Sequence, residues 1–447
     1  MTPGPELVRT ALGARRHPAA SPAELREYQD RALRRLVRHA YERVPFYRAL
    51  FDRHRLHPRH IRGMRDLELI PFTSKADMRL RPERERIAAG HEPEALLRVR
   101  TSGSSGEPFT IRRTWLEDKV QYLFRLRAFD AMQIGPRDHV VIVGVARPGD
   151  GGSKLIGRML RTLGWFPRTK LDGFQNPDAI LRRLAEVGPD VMVGYPGMLD
   201  RLTAPELAPL RAAVRPRLIL TGGEVLIPAI RARLGQAFGA RVIETYASNE
   251  CPLIAWSCPH GSDLHTCDDG AIVEVLRDGR PAEPGERGEV VLTNLHAYAM
   301  PFIRYRLGDL ATRGEPCACG QPFSTIGTIQ GRMLDYFPLP SGRLMHPYEI
   351  VHAVVWGSAD WIRHYELVQE RTDRIVLRVV VSAPPSPSLL EELVRAAERR
   401  LEPGVTFTIE VVDRIPFSPN GKFRPSRSLV HSEYAALVSA GAGSANV

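Results

Sequence analysis

The sequence predicts an α/β protein, with a large N-terminal domain of helices and α/β sheets and a small α+β C-terminal domain. Three observations predict it. From 138 to 310, short apolar runs such as "HVVIVGV", "DVMVGYP" and "PRLILTGGE" alternate with longer amphipathic stretches, the order a parallel sheet buried on both faces requires. From 271 to 312 the pattern changes to closely spaced β-rich runs separated by turn residues. After "PLPSGR", a separate strand–strand–helix–strand series begins.

Each part follows in order. Residues 1–80 read as the helical start of the large domain. "REYQDRALRRLVRHAYERVPFYRALFDRHR" places leucines and tyrosines at helical spacing with arginines between them, an amphipathic helix with a solvated face. "LELIPFTSKADMR" closes that stretch, with Pro71 breaking it and Thr73 or Ser74 able to cap the next helix. Residues 81–334 carry the main α/β sheet and a β-rich subdomain around 270–330, built from "AIVEVL", "GEVVLTNL" and "MPFIRYRLGDLATR". The helical-looking "KLIGRMLRTLG", "MLDRLTAPELAPLRAAV" and "IPAIRARLGQAFG" separate its parallel strands, and "ARVIETYAS" completes the series. Residues 335–447 form the small domain, with strands in "HYELVQE", "RIVLRVVVS" and "TFTIEVV" and a helix over 388–402.

Composition excludes several classes. A chain of 447 residues with 43% hydrophobic and 25% charged residues can bury a sizeable core and is not disordered. The N-terminus has no apolar signal region and no run approaches a membrane span, so a soluble cytoplasmic protein is expected, with no membrane partner. The net charge of +11 comes from basic residues scattered among acids, which describes a field and not a nucleic-acid site. Lysine occurs at 75, 119, 154, 170 and 422 alone, among 62 Lys and Arg, so each lysine stands out. The five cysteines all fall between 251 and 319, a clustering that fits reduced thiols or a metal site rather than a disulfide scaffold.

The stretch "VRTSGSSGEP" at 99–108 packs the hydroxyls of Thr101, Ser102, Ser104 and Ser105 with Gly103 and Gly106. Glycine lets successive N–H groups face one anion, and hydroxyls add donors without bulk. Glu107 stands where a strict phosphate loop carries lysine, so the cation must come from elsewhere. Further along lie "TGGE" at 221–224, "YASNE" at 246–250, "YRLGDL" at 305–310, "GRMLD" at 331–335 and "PFSPNGKFRP" at 416–425. This ordered set resembles the adenylate-forming ligases, the superfamily of acyl-CoA synthetases and adenylation domains, and within it the phenylacetate–CoA ligase-like branch. "VPFYRALF", "IPFTSKADMR" and "VGYPGML" resemble the same branch, so the resemblance spans nearly the whole chain.

The resemblance implies an ATP- and Mg²⁺-dependent enzyme that joins a small carboxylic acid, aryl or of similar size, to AMP with release of pyrophosphate. A nucleophile then displaces AMP: CoA, an amine or a carrier-protein thiol. It implies that Thr101, Ser102, Gly103, Ser104, Ser105 and Gly106 hold phosphate, and that Gly222, Gly223 and Glu224 form the adenine-pocket turn. Tyr246 and Ala247 belong to the aromatic segment at the nucleotide, Asp309 takes the ribose hydroxyls, and Arg332 reaches ribose or phosphate. Glu250 is the Mg²⁺ ligand, a role suited to carboxylate oxygen. Lys422 is the catalytic cation, a flexible point charge in a Pro/Asn/Gly-rich turn of a domain that rotates between half-reactions. Leu334 stands where the family carries the first of two hinge aspartates, which leaves the acceptor open. A nucleotide-binding regulatory protein of the same fold without turnover is the alternative.

Cys258, His265, Cys317 and Cys319 make a Cys₃His set suited to a tetrahedral structural Zn²⁺, with His260 and Cys267 as rival ligands. Cys251, next to Glu250, is expected on the substrate side.

Overall fold

The computed structural model describes residues 7, 20–100, 109–144, 167–173, 175–226, 228–258, 260–261, 263–332, 337–341, 344–345, 347–355, 361–416 and 426–430. The described chain has the expected mixed architecture and divides into two compact units, 1–134 with 245–329, and 135–244 with 330–447.

The first unit opens on the helix Pro22–Arg43. Ser21 caps it, accepting from the Glu24 backbone N–H, while the Glu24 side chain accepts from the Ser21 N–H, and Pro22 supplies a pre-set first turn. Leu25, Leu33, Leu36, Val37 and Ala40 line its buried stripe. Val44 breaks the helix and Pro45 starts the next, Pro45–Arg53. At the "IPFTSK" segment Ser74, not Thr73, caps the short helix Lys75–Arg79. Thr73 is instead buried and pairs with the strand Tyr305–Arg313. Its N–H donates to the Arg304 carbonyl, its own carbonyl accepts from the Arg306 N–H, and its hydroxyl donates to the Ile303 carbonyl. A segment far away in sequence thereby fixes the entry to "YRLGDL".

The β-rich part of this unit is antiparallel. Ala271–Arg277 pairs with Arg287–Asn294, which pairs with Tyr305–Arg313. Ala255–Ser257 and Leu264–Thr266 form a hairpin onto which Thr325–Arg332 adds at Thr325↔His265 and Ile326↔Leu264. The alternation of apolar residues buries Ala271, Val275, Val290, Leu292 and Ala311 in one core with Tyr246 and Cys251.

In the second unit, the strands Val140–Gly144, Arg168–Asp172, Val191–Gly194 and Leu218–Gly222 are parallel, in the spatial order 168–172, 140–144, 191–194, 218–222. The helices Pro177–Val187 and Pro228–Phe238 accompany them. "KLIGRMLRTLG" lies outside the described residues. "MLDRLTAPELAPLRAAV" does not form one helix. It breaks into Pro196–Asp200, two short 3₁₀ turns and Ala208–Arg211, because Pro205 and Pro209 lack the N–H a continuous helix needs. The C-terminal sheet has the order Thr406–Val411, Arg374–Val381, Ile362–Arg371, Ser426–Ser428, with the helix Pro387–Glu398 and the shorter Tyr348–Val354. Leu367, Leu377 and Phe407 of this sheet share a core with Leu393 of its helix. Among the described residues no helix is long and apolar enough to cross a membrane.

Candidate nucleotide and metal sites

The Thr101–Gly106 loop and Lys422 lie outside the described residues. The strands flanking the loop are fixed, however: Leu97–Arg100 and Thr110–Arg113 pair in register from Leu97↔Arg113 to Arg100↔Thr110. Thr114 then caps the helix Trp115–Ala131 through a capping box with Glu117. Arg332 ends the strand Thr325–Arg332.

Asp309 sits on an irregularity in the antiparallel ladder. The partners run Glu289↔Leu310 and then Val291↔Arg306, so Leu307, Gly308 and Asp309 stand opposite Val290 alone, two residues more than the facing strand. Such bulges re-aim side chains, and Gly308 makes this one possible with a φ of +76°. The Tyr246 hydroxyl, at the end of the strand Arg241–Tyr246, donates to Asp309 Oδ2 at 2.6 Å. Tyr246 is otherwise buried in the antiparallel core, so its ring serves packing while its oxygen reaches the carboxylate. Arg304, just before this strand, is buried with a φ of +43°. Its guanidinium bonds Glu274 and the carbonyls of Glu68 and Ile70, which holds a strained residue in place. Burial pushes the Glu274 carboxyl above its ordinary value, and the facing Arg304 charge opposes that shift.

Glu250 lies on a tight turn after exposed Ala247. The Ser248 N–H donates to the Cys251 carbonyl at 3.0 Å, and the Cys251 N–H returns a bond to the Ser248 hydroxyl at 3.1 Å. Arg113 Nη2 donates to the Asn249 carbonyl at 2.6 Å. Asn294 Nδ2 donates to the Glu250 carbonyl at 2.9 Å, and Gln121 Nε2 in turn donates to Asn294 Oδ1 at 3.0 Å. The Glu250 carboxylate itself accepts from the Tyr305 hydroxyl at 3.3 Å. Among the described residues that long bond is its one hydrogen bond, and a carboxylate so lightly engaged keeps lone pairs that would suit a hard cation such as Mg²⁺. Cys251, expected on the substrate side, is packed into the antiparallel core. It is fully buried, its thiol donates to the Leu253 carbonyl, and burial pushes it up to about 12.

In the second unit, Gly222 ends its strand, Gly223 takes a φ of +78°, and the Glu224 carboxylate accepts from the Gly197 N–H at 3.1 Å. The "TGGE" and "VGYPGML" segments are joined by that bond.

The Cys₃His residues come together through strand pairing. The 255–266 hairpin carries Cys258 at its turn side and His265 on its return strand, and Thr325↔His265 pairing brings the 314–324 loop with Cys317 and Cys319 alongside. The four ligand atoms lie within 4.8 Å of one another. Cys258 Sγ is 3.5 Å from Cys317 Sγ, and His265 Nε2 is 3.1 Å from Cys319 Sγ. A tetrahedral Zn²⁺ with ordinary bond lengths needs ligand separations of roughly 3.5–3.8 Å, so small adjustments of the four side chains would admit it. His265 Nδ1 lies 3.4 Å from the Phe323 carbonyl, the outer hydrogen bond that leaves Nε2 bare for a metal. Cys267 belongs elsewhere: it is buried beside Arg127 and Asp269, with Arg127 Nη2 3.4 Å from its sulfur. His260 contributes a backbone N–H to Cys258 Sγ at 3.3 Å, a supporting contact.

Sequence reasoning did not single out Arg113, Gln121, Asn294 or Tyr305. Arginine is the chain's default cation, and a buried Asn–Gln pair 173 residues apart leaves no local pattern.

Comparison with known proteins gives concordant results. An AMP-binding enzyme model matches residues 162–297, and a CapK C-terminal domain model matches 340–427. The chain is 29% identical over 439 residues to the phenylacetate–coenzyme A ligase of Thermus thermophilus, covering 90% of this chain and 96% of that one. It is 28% identical over 331 residues to the enzyme of the same description from Aromatoleum evansii, with 71% and 72% covered. Among solved structures, a 2-hydroxyisobutyryl-CoA ligase in the postadenylation state has the same fold, with a TM-score of 0.75 at 20% identity over 96% of this chain and 94% of that one.

Proposed function

The chain belongs to the adenylate-forming ligases, in their phenylacetate–CoA ligase-like branch, and from that premise we propose that it activates a small aryl carboxylic acid with Mg·ATP and passes the acyl group to CoA. A carboxylate oxygen attacks the α-phosphorus, the α–β phosphoanhydride bond breaks, and pyrophosphate leaves. The CoA thiolate then attacks the acyl carbon and AMP departs. No covalent enzyme intermediate is needed, so the protein acts by positioning and by stabilising charge. Asp309 takes the ribose hydroxyls, Gly222, Gly223 and Glu224 border the adenine, and the Thr101–Gly106 hydroxyls and N–H groups grip phosphate. Tyr246 and Ala247 flank the nucleotide, and Arg332 assists at ribose or phosphate. Lys422, in the small domain assigned to 335–447, stabilises the charge that develops between acid and α-phosphate. Mg²⁺ at Glu250 would neutralise phosphate oxygens as the pyrophosphate charge grows.

The observation that carries this reading is Asp309. A carboxylate placed on a glycine-dependent bulge, and aimed by a tyrosine hydroxyl at 2.6 Å, is an arrangement the core does not require and a diol ligand does. Cys258, His265, Cys317 and Cys319 hold a structural Zn²⁺, a reading supported by their mutual distances. Dependence on ATP and CoA, both cytoplasmic co-substrates, supports a cytoplasmic location.

The test is acid-dependent ATP–pyrophosphate exchange over aryl, amino-aryl and short aliphatic acids, followed by CoA addition. Exchange with an aryl acid, and loss of roughly 100-fold in Lys422→Ala, is expected, with acyl-CoA formed once CoA is present. Silence across the acids would overturn the adenylation reading. Exchange without thioester would overturn the choice of CoA alone.

A further inference from the structure

The turn that carries Glu250 is held more firmly than its own packing explains. Two successive backbone carbonyls, Asn249 and Glu250, each accept from a side chain on a different element: Arg113 at 2.6 Å and Asn294 at 2.9 Å. Asn294 is buried, and its own oxygen accepts from both Gln121 Nε2 and the His296 N–H. The reciprocal Ser248–Cys251 bonds close the turn from within. The carboxylate that all this aims has, among the described residues, one hydrogen bond of 3.3 Å. A backbone so constrained beneath a side chain so lightly engaged is the pattern of a ligand held ready for a partner.

Arg113 occupies a particular place in that arrangement. It ends the strand leaving the hydroxyl-rich loop, at the base of the hairpin whose register runs back to Arg100↔Thr110. Its guanidinium therefore ties the strand Thr110–Arg113 to the Glu250 turn. Its charge also reaches the buried thiol beyond, where it lowers the Cys251 value against the raising influence of Glu250. We propose that Arg113 is a positioning residue for the metal-binding carboxylate: through the Asn249 carbonyl it holds the turn that carries Glu250 against the strand Thr110–Arg113, so that the carboxylate meets a divalent cation in one set orientation. The proposal rests on the reading of Glu250 as the Mg²⁺ ligand and adds to it a residue that touches neither metal nor nucleotide.

The experiment titrates Mg²⁺ into full-length protein with ATP and reads the half-saturating Mg²⁺ for nucleotide binding by calorimetry. Metal-free AMP binding is measured beside it. Arg113→Ala is expected to raise the Mg²⁺ midpoint about tenfold, the usual effect of losing an outer partner of a metal ligand, with AMP affinity within twofold of the parent. Arg113→Gln keeps the stem without the charge and reads the same midpoint if the alanine variant does not fold. The double variant Arg113→Ala/Glu250→Gln is expected to match Glu250→Gln alone. An unchanged midpoint overturns the proposal. So does an equal fall in AMP affinity, which would mark a role in folding alone, or a further shift in the double variant, which would place Arg113 on the phosphates directly. The titration needs no turnover, so a chain that binds Mg·ATP but shows no exchange sinks the proposed reaction and leaves this test standing. ATP binding indifferent to Mg²⁺ sinks the positioning role itself.

Discussion

Asp309 shows how much of a site one residue carries and what supports it. Its carboxylate accepts from the Tyr246 hydroxyl at 2.6 Å, a charge-assisted bond of the stronger kind, which orients it on the bulge where the resemblance puts a ligand diol. Wild-type protein should therefore bind ATP more tightly than 2′,3′-dideoxy-ATP, and Asp309→Ala should abolish the difference. Tyr246→Phe removes one bond to a charged group, worth about 1.5 kcal/mol or somewhat more, and should weaken ATP about tenfold while keeping the preference for the full ribose. Calorimetry with the two nucleotides decides it; an intact preference in Asp309→Ala removes the ribose role. Asp309 and Glu250 were legible because a carboxylate in a short glycine- or turn-rich segment stands out. Arg113 was not. With five lysines among 62 Lys and Arg, one more arginine in "TIRRT" carries no signal until its partner is known.

The strand ladder accounts for what spacing alone concealed. Cys258 and Cys317 are 59 residues apart, and only the pairing of Thr325 with His265 shows why they meet. The purified protein should hold one zinc per chain by elemental analysis. Cys319→Ser should lose it and melt about 5 °C lower or more, whereas Cys267→Ala and a His260→Ala variant should keep the metal. Zinc retained in Cys319→Ser, or lost in Cys267→Ala, would assign the ligands differently. The bulge offers a second test at this scale. A Cβ at Gly308 would meet nothing within 4 Å, so Gly308→Ala costs backbone strain alone, about 1–2 kcal/mol. If the positive φ serves Asp309, ATP affinity should fall while the Mg²⁺-free fold, followed by circular dichroism, persists; unchanged affinity would separate the bulge from the ligand. The strands themselves were readable from apolar alternation, because a buried face enforces it. The 196–211 region was not, since its prolines interrupt a pattern that otherwise scans as helix.

At the scale of the whole molecule, stability should depend on pH through an anchor no motif announces. Within the second unit, the Asp200 side chain is 1% exposed and receives both Arg233 Nε at 2.9 Å and Nη2 at 2.8 Å. Arg233 also donates to the carbonyls of Ile362 and Arg363, at 3.0 and 2.9 Å. The start of the inner strand Ile362–Arg371 is thus bonded to the helix Pro228–Phe238. His364 lies in the same cluster, Nε2 3.7 Å from Asp200 Oδ2. Burial depresses its pKa, Asp200 opposes that, and the charges of Arg233, Arg201 and Arg363 push it down further. A histidine with a folded value below its unfolded one stays neutral in the native state, so its contribution is complete above about pH 6.5. It is lost as pH falls through the folded value, because the unfolded chain then binds the proton first. The unfolding free energy of wild-type protein should accordingly decline below pH 6.5 with a slope from this group of at most about 1.4 kcal/mol per pH unit. His364→Asn removes the titration, so its stability relative to wild type should rise as the solution is acidified from pH 7 to 5. Carboxylates elsewhere titrate in both proteins and cancel in the difference. Denaturant unfolding at a series of pH values measures that difference directly. A constant offset between the two proteins would mean that the cluster holds His364 equally well in either charge state, with Asp200 compensating the proton in full.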